Sequence, residues 1–364
     1  MNGDATGDGW AVYSAEEIDS WAKYFDRLDD AGAYHAPAYL RTLAGNFEPP
    51  EEAELFVLDP DYLNGFVYYP YLTRPLAALP FAEETNAELK SYRDIVSSWY
   101  YGGPIASVPE AATDLAGRFV EQFGETCAQR GIVTEFVRFD PNLKNHACFP
   151  GIEPTFNRET VPVDLTGGAD AIWDGYEDRN RRAINQARET TLEVEATRDR
   201  SDVDAFHSIY TDAMDAKDAH AHYRFDAAYF HELVEDYPEL ASLLVVRYED
   251  EVVGGFIAVH DDRTAHHFLS ASIPDYWDMR VNNLLYHEVV MHFHDRGFTM
   301  FDFQGGRPGV FKFKKGFSPR RREFFVAKRT HMPAVYEQIV EAANRAGIDT
   351  DTDYFPAYRV EQSN

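Results

Sequence analysis

Lys312, Lys314 and Lys315 fall within four residues of one another in a chain that has only eight lysines. Arg320, Arg321 and Arg322 follow, and from Arg307 to Arg329 nine cations face one acid, Glu323. Over the whole chain the balance is reversed, with 62 acidic residues against 34 lysines and arginines and a formal charge of −28. Ammonium groups are strong partners for phosphate oxygens, so lysines interleaved with Phe311, Phe313 and Phe317 suit a phosphate-bearing ligand. Read as an extended segment, the tract points Phe311, Phe313 and Lys315 one way and Lys312 and Lys314 the other. The alternative is an edge strand guarded by lysines, and the scarcity of lysine elsewhere favours ligand binding.

A second candidate precedes that tract. In the strand predicted from Thr299, alternation puts Phe301 and Phe303 on one face and Met300, Asp302 and Gln304 on the other. An acid in an apolar strand must be paired, hydrogen-bonded or functional. Asp302 therefore either caps a turn, pairs with an arginine, or handles a proton. Gly305 and Gly306 then open the strand end, where backbone amides can approach a ligand. A third cluster lies in a helix predicted over Asp170 to Thr191, where Arg181, Asn185 and Arg188 share a face and Arg179 and Arg182 lie close to it. The 13 histidines show no metal-ligand spacing and read as surface or satisfied core groups. No Ser-His-Asp motif, Walker loop or dinucleotide fingerprint is present.

These groups need a scaffold. A chain of 364 residues exceeds the usual single core and predicts two domains. Hydrophobic residues at 45% and aromatics at 15% argue against disorder. Cys127 and Cys148 read as buried thiols in a reducing compartment. The first residues lack a basic region and an apolar run, and no stretch approaches the ~20 apolar residues of a membrane span. A cytoplasmic protein is expected. The acids are spread along the chain, which fits a solvated surface adapted to high salt better than an acidic tail or a basic partner.

Hydrophobic periodicity and turn residues give an order of elements that occurs twice: helix, hairpin, strand, helix, glycine, strand. The first copy opens with an S-x-x-E capping box, Ser14 and Glu17. It continues through β-type runs at Ala53–Asp59 and Asn64–Leu72, a helix from about Pro109 to Arg130, and the strand after Gly131. "AYHAPAYLRTL" from Ala33 resembles "HYRFDAAYFHEL" from His222, and "QRGIVTEF" from Gln129 resembles "DRGFTMFD" from Asp295. The pattern predicts a duplicated α/β unit with mixed sheets. Predicted boundaries are 1–160, 161–330 with the basic helix at 170–191, and a tail at 331–364.

"DRNRRAINQAR", "VNNLLYHEVVMHFHDRGFTMFDFQGG" and "GVFKFKKGF" together resemble the second half of Fem-type proteins, the FemABX aminoacyltransferases and their BioF2-like relatives in the GNAT superfamily. "YYGGP" and "VRFDPNL" resemble the matching places in the first half, so the likeness runs from about Ala33 to Lys328. It implies two tandem GNAT-like folds, acyl transfer to an amine where they meet, and a C-terminal tail packed on the first domain. By position, Lys314 matches the lysine that contacts the acyl donor or the developing oxyanion. Phe313 matches the adjoining aromatic, Asp302 the aspartate of a YDFGG-like strand, and Arg181 and Arg182 the basic helix. Lys312, Lys315 and Arg307 beside them, with Tyr101 and Asn283 in the matching segments, complete the substrate-binding expectation. Two departures stand out. FDFQGG replaces the YDFGG tyrosine with Phe301, and "PDYWDMRVNNLL" replaces the GNAT pyrophosphate loop R/Q-x-x-G-x-G/A.

The expected activity is transfer of an acyl or aminoacyl group from an activated, phosphate-bearing donor to an amine on a small molecule or peptide. No bound cofactor or metal is expected. The donor would be a co-substrate, either acyl-CoA or aminoacyl-tRNA, the latter making tRNA a partner. The competing class is a non-catalytic binder of a phosphate-bearing ligand or RNA on the same scaffold, which salt would weaken steeply.

Overall fold

The computed structural model describes residues 9–46, 51–60, 65–82, 89, 91–108, 112–219 and 223–360. The predicted helix start at Pro109 and His222 of the repeated segment lie outside them. The chain forms two units: one holds the residues up to Asn157 and those from Phe324 onward, the other Arg158–Glu323.

In the first unit, β1 (Trp10–Ser14) leads into α1 (Ile18–Phe25). The Ser14 amide and hydroxyl both donate to Glu17 Oε2, at 2.9 and 3.1 Å, as the capping pattern predicts. Then come α2 (Pro37–Gly45), the hairpin of β2 (Glu52–Leu58) and β3 (Val67–Pro75), β4 (Arg93–Ser97), β5 (Ile105–Ala106), α3 (Ala112–Gln129) and β6 (Ile132–Arg138). β7 (Thr155–Thr160) crosses the unit boundary.

The second unit runs β8 (Pro162–Asp164), α4 (Gly168–Asp174), α5 (Asp178–Arg188), β9 (Leu192–Thr197), α6 (Arg200–Asp215) and α7 (Ala227–His231). It continues with β10 (Ala241–Tyr248), β11 (Glu251–His260), β12 (Thr264–Ser272), α8 (Val281–Asp295), β13 (Met300–Asp302) and α9 (Pro308–Lys314). The chain ends with β14 (Arg322–Thr330) and α10 (Pro333–Arg345).

The two sheets share one plan. The strands β1-β2-β3-β4 are antiparallel neighbours, β4 pairs β6 in parallel, and β14 lies antiparallel to β6. In the second unit β9-β10-β11-β12 are antiparallel, β12 pairs β13 in parallel, and β8 lies antiparallel to β13. Each parallel pair is joined by a helix, α3 or α8, and each helix is stopped by a glycine in left-handed backbone, Gly131 at φ 68° and Gly297 at φ 84°. The duplicated mixed-sheet architecture read from the sequence is the architecture of the chain.

Packing follows the apolar stripes. Phe119 and Phe123 of α3 stack at 5.3 Å and meet Phe56 of β2. Val281, Leu285, Val289 and Phe293 of α8 bury against Phe256, Phe301 and Phe303, each such side chain contributing about 1.5–3 kcal/mol. A separate core in the first unit joins α10, through Ile339, Ala342 and Ala343, to Leu76, Val133 and Tyr358.

Two predicted elements differ. The basic segment is not one helix: it breaks between α4 and α5 at Gly175–Glu177, where Tyr176 is buried, Glu177 is extended, and the Glu177 amide donates to Gly316 O at 2.8 Å. The lysine tract is not extended either. Pro308 at the first helical position starts α9, and helical spacing brings Phe313 and Phe317 together at 5.3 Å.

Candidate functional site: a fork between parallel strands

β12 and β13 pair only from Thr264↔Met300 to His266↔Asp302. Beyond that point β12 runs on to Ser272 while β13 ends. The Phe303 amide still donates to Val161 O at 3.0 Å, so the chain leaves β12 but keeps to the β8 side. Asp302 makes the departure: its Oδ1 accepts from the Gln304 amide at 2.7 Å, and Gln304 sits in left-handed backbone at φ 60°. Gly305 follows where a Cβ would meet Arg158 Cδ at 2.6 Å.

Lys314 fills the fork. Its side chain leaves the last turn of α9, only 3% of the residue is exposed, and Nζ donates to Gly305 O at 2.9 Å and to His267 Nδ1 at 3.1 Å. An ammonium only donates, so His267 Nδ1 accepts and the ring proton sits on Nε2. That N–H reaches Ser270 Oγ at 2.9 Å, and the Tyr286 hydroxyl lies 2.9 Å from Ser270 Oγ and 3.3 Å from His267 Nε2. Phe313 closes one side, edge-on to Tyr286 at 5.0 Å. Two of the three hydrogens of the Lys314 ammonium are thus committed.

Burial drives the Lys314 ammonium down to about 7, with Asp302 opposing the fall and Arg158 adding to it. Burial, then the neighbouring Lys314 charge, holds His267 well below the usual imidazole range. Burial raises the Tyr286 phenol to about 12. Of Lys314, His267 and Tyr286, burial brings the lysine alone toward neutrality.

The other expected residues are distributed as follows. Lys312 is exposed and its carbonyl accepts from Arg179 Nη2 at 2.7 Å, while Lys315 is half-buried. Arg307 is exposed at the start of α9. Arg181 is turned inward on α4, where its Nη1 donates to the carbonyls of Trp173, Asp174 and Tyr176 at 3.3, 3.1 and 2.6 Å. It thereby satisfies the last turn of α4. Arg182 is exposed, and with Trp173, Asp178, Arg181 and Asn185 it lines an open surface pocket. Asn283 lies half-buried one turn before Tyr286 on α8, where it is the neighbouring Asn282 whose Oδ1 accepts from Ser272 Oγ at 2.9 Å. Tyr101 belongs to the first unit and is buried edge-on to Tyr34 at 5.6 Å.

The first unit treats its own fork differently. Asp140 Oδ1 accepts from the Asn142 amide at 2.7 Å, so Phe139-Asp140-Pro141-Asn142 turns as Phe301-Asp302-Phe303-Gln304 does. There Asn145 Nδ2 donates to Gly102 O and Pro104 O at 2.8 and 3.1 Å, and Gly102 bridges Phe139 in parallel. A neutral amide sutures one fork and a cation occupies the other.

Residues 177–315, from α5 through Lys315, match the acetyltransferase (GNAT) domain family. No curated protein matches the chain. Among solved structures, FemX is similar with a TM-score of 0.63 at 13% identity, over 89% of this chain and 98% of FemX. The C-terminal domain of a lysylphosphatidylglycerol synthetase from Agrobacterium fabrum is similar at 0.56 and 16% identity, over 91% and 96%. A tandem GNAT protein from the clavulanic acid biosynthesis pathway is similar at 0.50 and 10% identity, over 89% and 98%. The chain has a FemX-like tandem GNAT fold.

Within this FemX-like chain, Lys314, Asp302 and Phe313 come together at one fork, as a sequence reading can anticipate. His267, Ser270 and Tyr286 do not show in the sequence. The β11–β12 register shifts between Ile257, opposite Leu269, and Ala258, opposite His267, so Phe268 is an extra residue. That bulge breaks the alternation and puts His267 and Ser270 on one face although they are three apart. No helix among the described residues is long and apolar enough to cross a membrane.

Proposed function

We propose that this protein is an N-acyltransferase that moves an acyl or aminoacyl group from an activated, phosphate-bearing donor to an amine. The observation that carries the reading is the buried Lys314 ammonium, with two of its hydrogens fixed by Gly305 O and His267 Nδ1. A donor pre-aimed in a water-poor site is what a developing oxyanion requires. In the transfer a C–N bond forms, the bond from the acyl carbon to the donor's leaving atom breaks, and the proton shed by nitrogen ends on that leaving atom. Asp302 is fully buried and its Oδ1 is engaged by Gln304, which favours a role in shaping the fork and sustaining the Lys314 charge over direct proton abstraction. Phe313 would contact the acyl chain. Arg307, Lys312, Lys315, Arg181, Arg182, Tyr101 and Asn283 stand as proposed substrate contacts.

The donor is acyl-CoA or aminoacyl-tRNA. Asp275 and Asp278 are exposed in the turn just before α8. They put carboxylates where a pyrophosphate would approach that helix N-terminus, which weighs against a donor held there. The acceptor is an amine on a small molecule or a peptide.

The test is turnover of purified parent and Lys314→Ala with acyl-CoAs and with aminoacyl-tRNA over a panel of amines. The variant should lose about 10²–10³-fold in kcat while keeping its near-ultraviolet dichroism. Parent-like turnover by Lys314→Ala would overturn the assignment. Ligand binding by the parent without any transfer, weakening steeply with salt, would instead indicate the binder.

A further inference from the structure

His267 is the least expected member of the fork. It comes from β12, is half-buried against Tyr286 of α8, and touches the one lysine among the three clustered ones that is buried. Its ring is fixed from several sides: Phe256 of β11 packs edge-on at 4.7 Å, Tyr286 of α8 lies at 5.7 Å, and Ser270 takes the Nε2 hydrogen. With Nε2–H engaged, Nδ1 has one task, to accept from Lys314 Nζ at 3.1 Å. A lysine on a flexible four-carbon stem is thereby given a single direction.

We propose that His267 is a positioning residue: by accepting from Lys314 it aims the remaining ammonium hydrogen at the fork and helps keep that ammonium charged. The inference deepens the transferase reading and rests on Lys314 being its oxyanion donor. A hydrogen bond accepted from a charged group favours the charged form, and it acts against the burial that pulls Lys314 down to about 7. The charged and titratable groups around Lys314 are Asp302 from β13, Arg158 from β7 and His267 from β12, with the Tyr286 hydroxyl of α8 on the far side of the His267 ring. Asp302 supports the charge, Arg158 opposes it, and Tyr286 is neutral across the working range. The imidazole bonds Nζ directly, at 3.1 Å.

The experiment reads Lys314 itself. The intact protein is labelled with trace acetic anhydride across pH and the Lys314 peptide is quantified by mass spectrometry. This gives the titration midpoint of that amine without any turnover. The parent should show a midpoint near 7. His267→Leu, which removes the acceptor, should move it down by about one pH unit and lower kcat at least tenfold. His267→Asn, whose Oδ1 can accept at the Nδ1 position, should restore both. An unchanged midpoint in His267→Leu would overturn the inference, as would a parent midpoint in the ordinary lysine range. If His267→Leu does not fold, His267→Gln and His267→Asn carry the comparison, and a midpoint that ignores the acceptor's presence or reach again refutes it. The labelling result is independent of Lys314→Ala turnover, so the failure of this inference and the failure of the transferase reading are separately visible.

Discussion

Asp302 Oδ1 accepts a hydrogen bond from the Gln304 amide at 2.7 Å, and that bond turns the chain out of the parallel ladder at the point where Lys314 enters. The same carboxylate holds up the Lys314 charge. The two roles separate by substitution. Asp302→Asn keeps an oxygen for the turn and removes the charge, so the fold should survive and the Lys314 midpoint should fall. Asp302→Ala removes the acceptor of a buried amide as well and should cost about 1–3 kcal/mol. Urea unfolding of both variants, read beside Lys314 labelling, checks the split. Equal stability loss in the two would show that the turn depends on charge rather than on the hydrogen bond.

Turnover has a stated pH sign. If the Lys314 ammonium is the working form, the rate should fall as pH rises through about 7, the value to which burial lowers it. Stability runs the other way. A lysine whose folded value is depressed costs most below that value, where the folded state must hold a buried charge. The cost is relieved as pH climbs toward the ordinary lysine range. Lys314→Met should therefore be inactive and, below neutrality, more stable than the parent by about 1–4 kcal/mol. The gain should shrink at alkaline pH. Melting temperatures of the pair at acid and alkaline pH would show it, and a gain that grows with pH would contradict the assigned protonation.

Much of this was legible in the residues because local chemistry and global fold agree. The capping box at Ser14 and Glu17, and the stop glycines 131 and 297, mark elements through hydrogen bonds and backbone angles that depend on a few adjacent residues. Asp302, Phe313 and Lys314 were legible because an acid and a lysine cluster are rare in their settings. The helical form of the tract was obscured by interleaved aromatics and lysines, although Pro308 and the four-residue spacing of Phe313 and Phe317 carry the helical signal. The break at Tyr176 depends on Arg181 satisfying α4 carbonyls and on Gly316 accepting from Glu177, contacts that no local pattern announces. His267 was illegible because a bulge resets the face on which it lies.

The first unit buries a carboxylate whose loss should be felt only above acid pH. Glu135 takes Arg329 Nη1 at 2.8 Å, His331 Nε2 at 3.0 Å and the Tyr69 hydroxyl at 2.9 Å. Burial alone would raise its value, but Arg329 and these hydrogen bonds hold it down at about 2. A depressed carboxylate contributes stability above its unfolded value that disappears as pH falls through the folded one. Glu135→Gln leaves Arg329 without its anion and should cost about 3–5 kcal/mol at neutral pH. The gap between parent and variant should close between about 4.5 and about 2. Denaturation curves at stepped pH would test this, and a gap independent of pH would mean that Glu135 acts through packing alone.

Gly255 shows how closely the second unit is packed on the face away from the fork. A Cβ built there would lie 2.4 Å from Phe206 Cδ2 and 2.7 Å from Phe206 Cγ, inside any allowed contact. Phe206 cannot move aside easily, because it is fully buried and sits 5.7 Å from Phe230 and 6.4 Å from Tyr210. Gly255→Ala should therefore destabilise by about 1–3 kcal/mol through overpacking, against the entropic gain an alanine usually brings to a strand. The pair Gly255→Ala with Phe206→Leu should recover part of the loss, because the smaller side chain vacates the clashing position. If the single variant is as stable as the parent and the double variant is worse than Phe206→Leu alone, the close approach of α6 to β11 is not a constraint on this sheet.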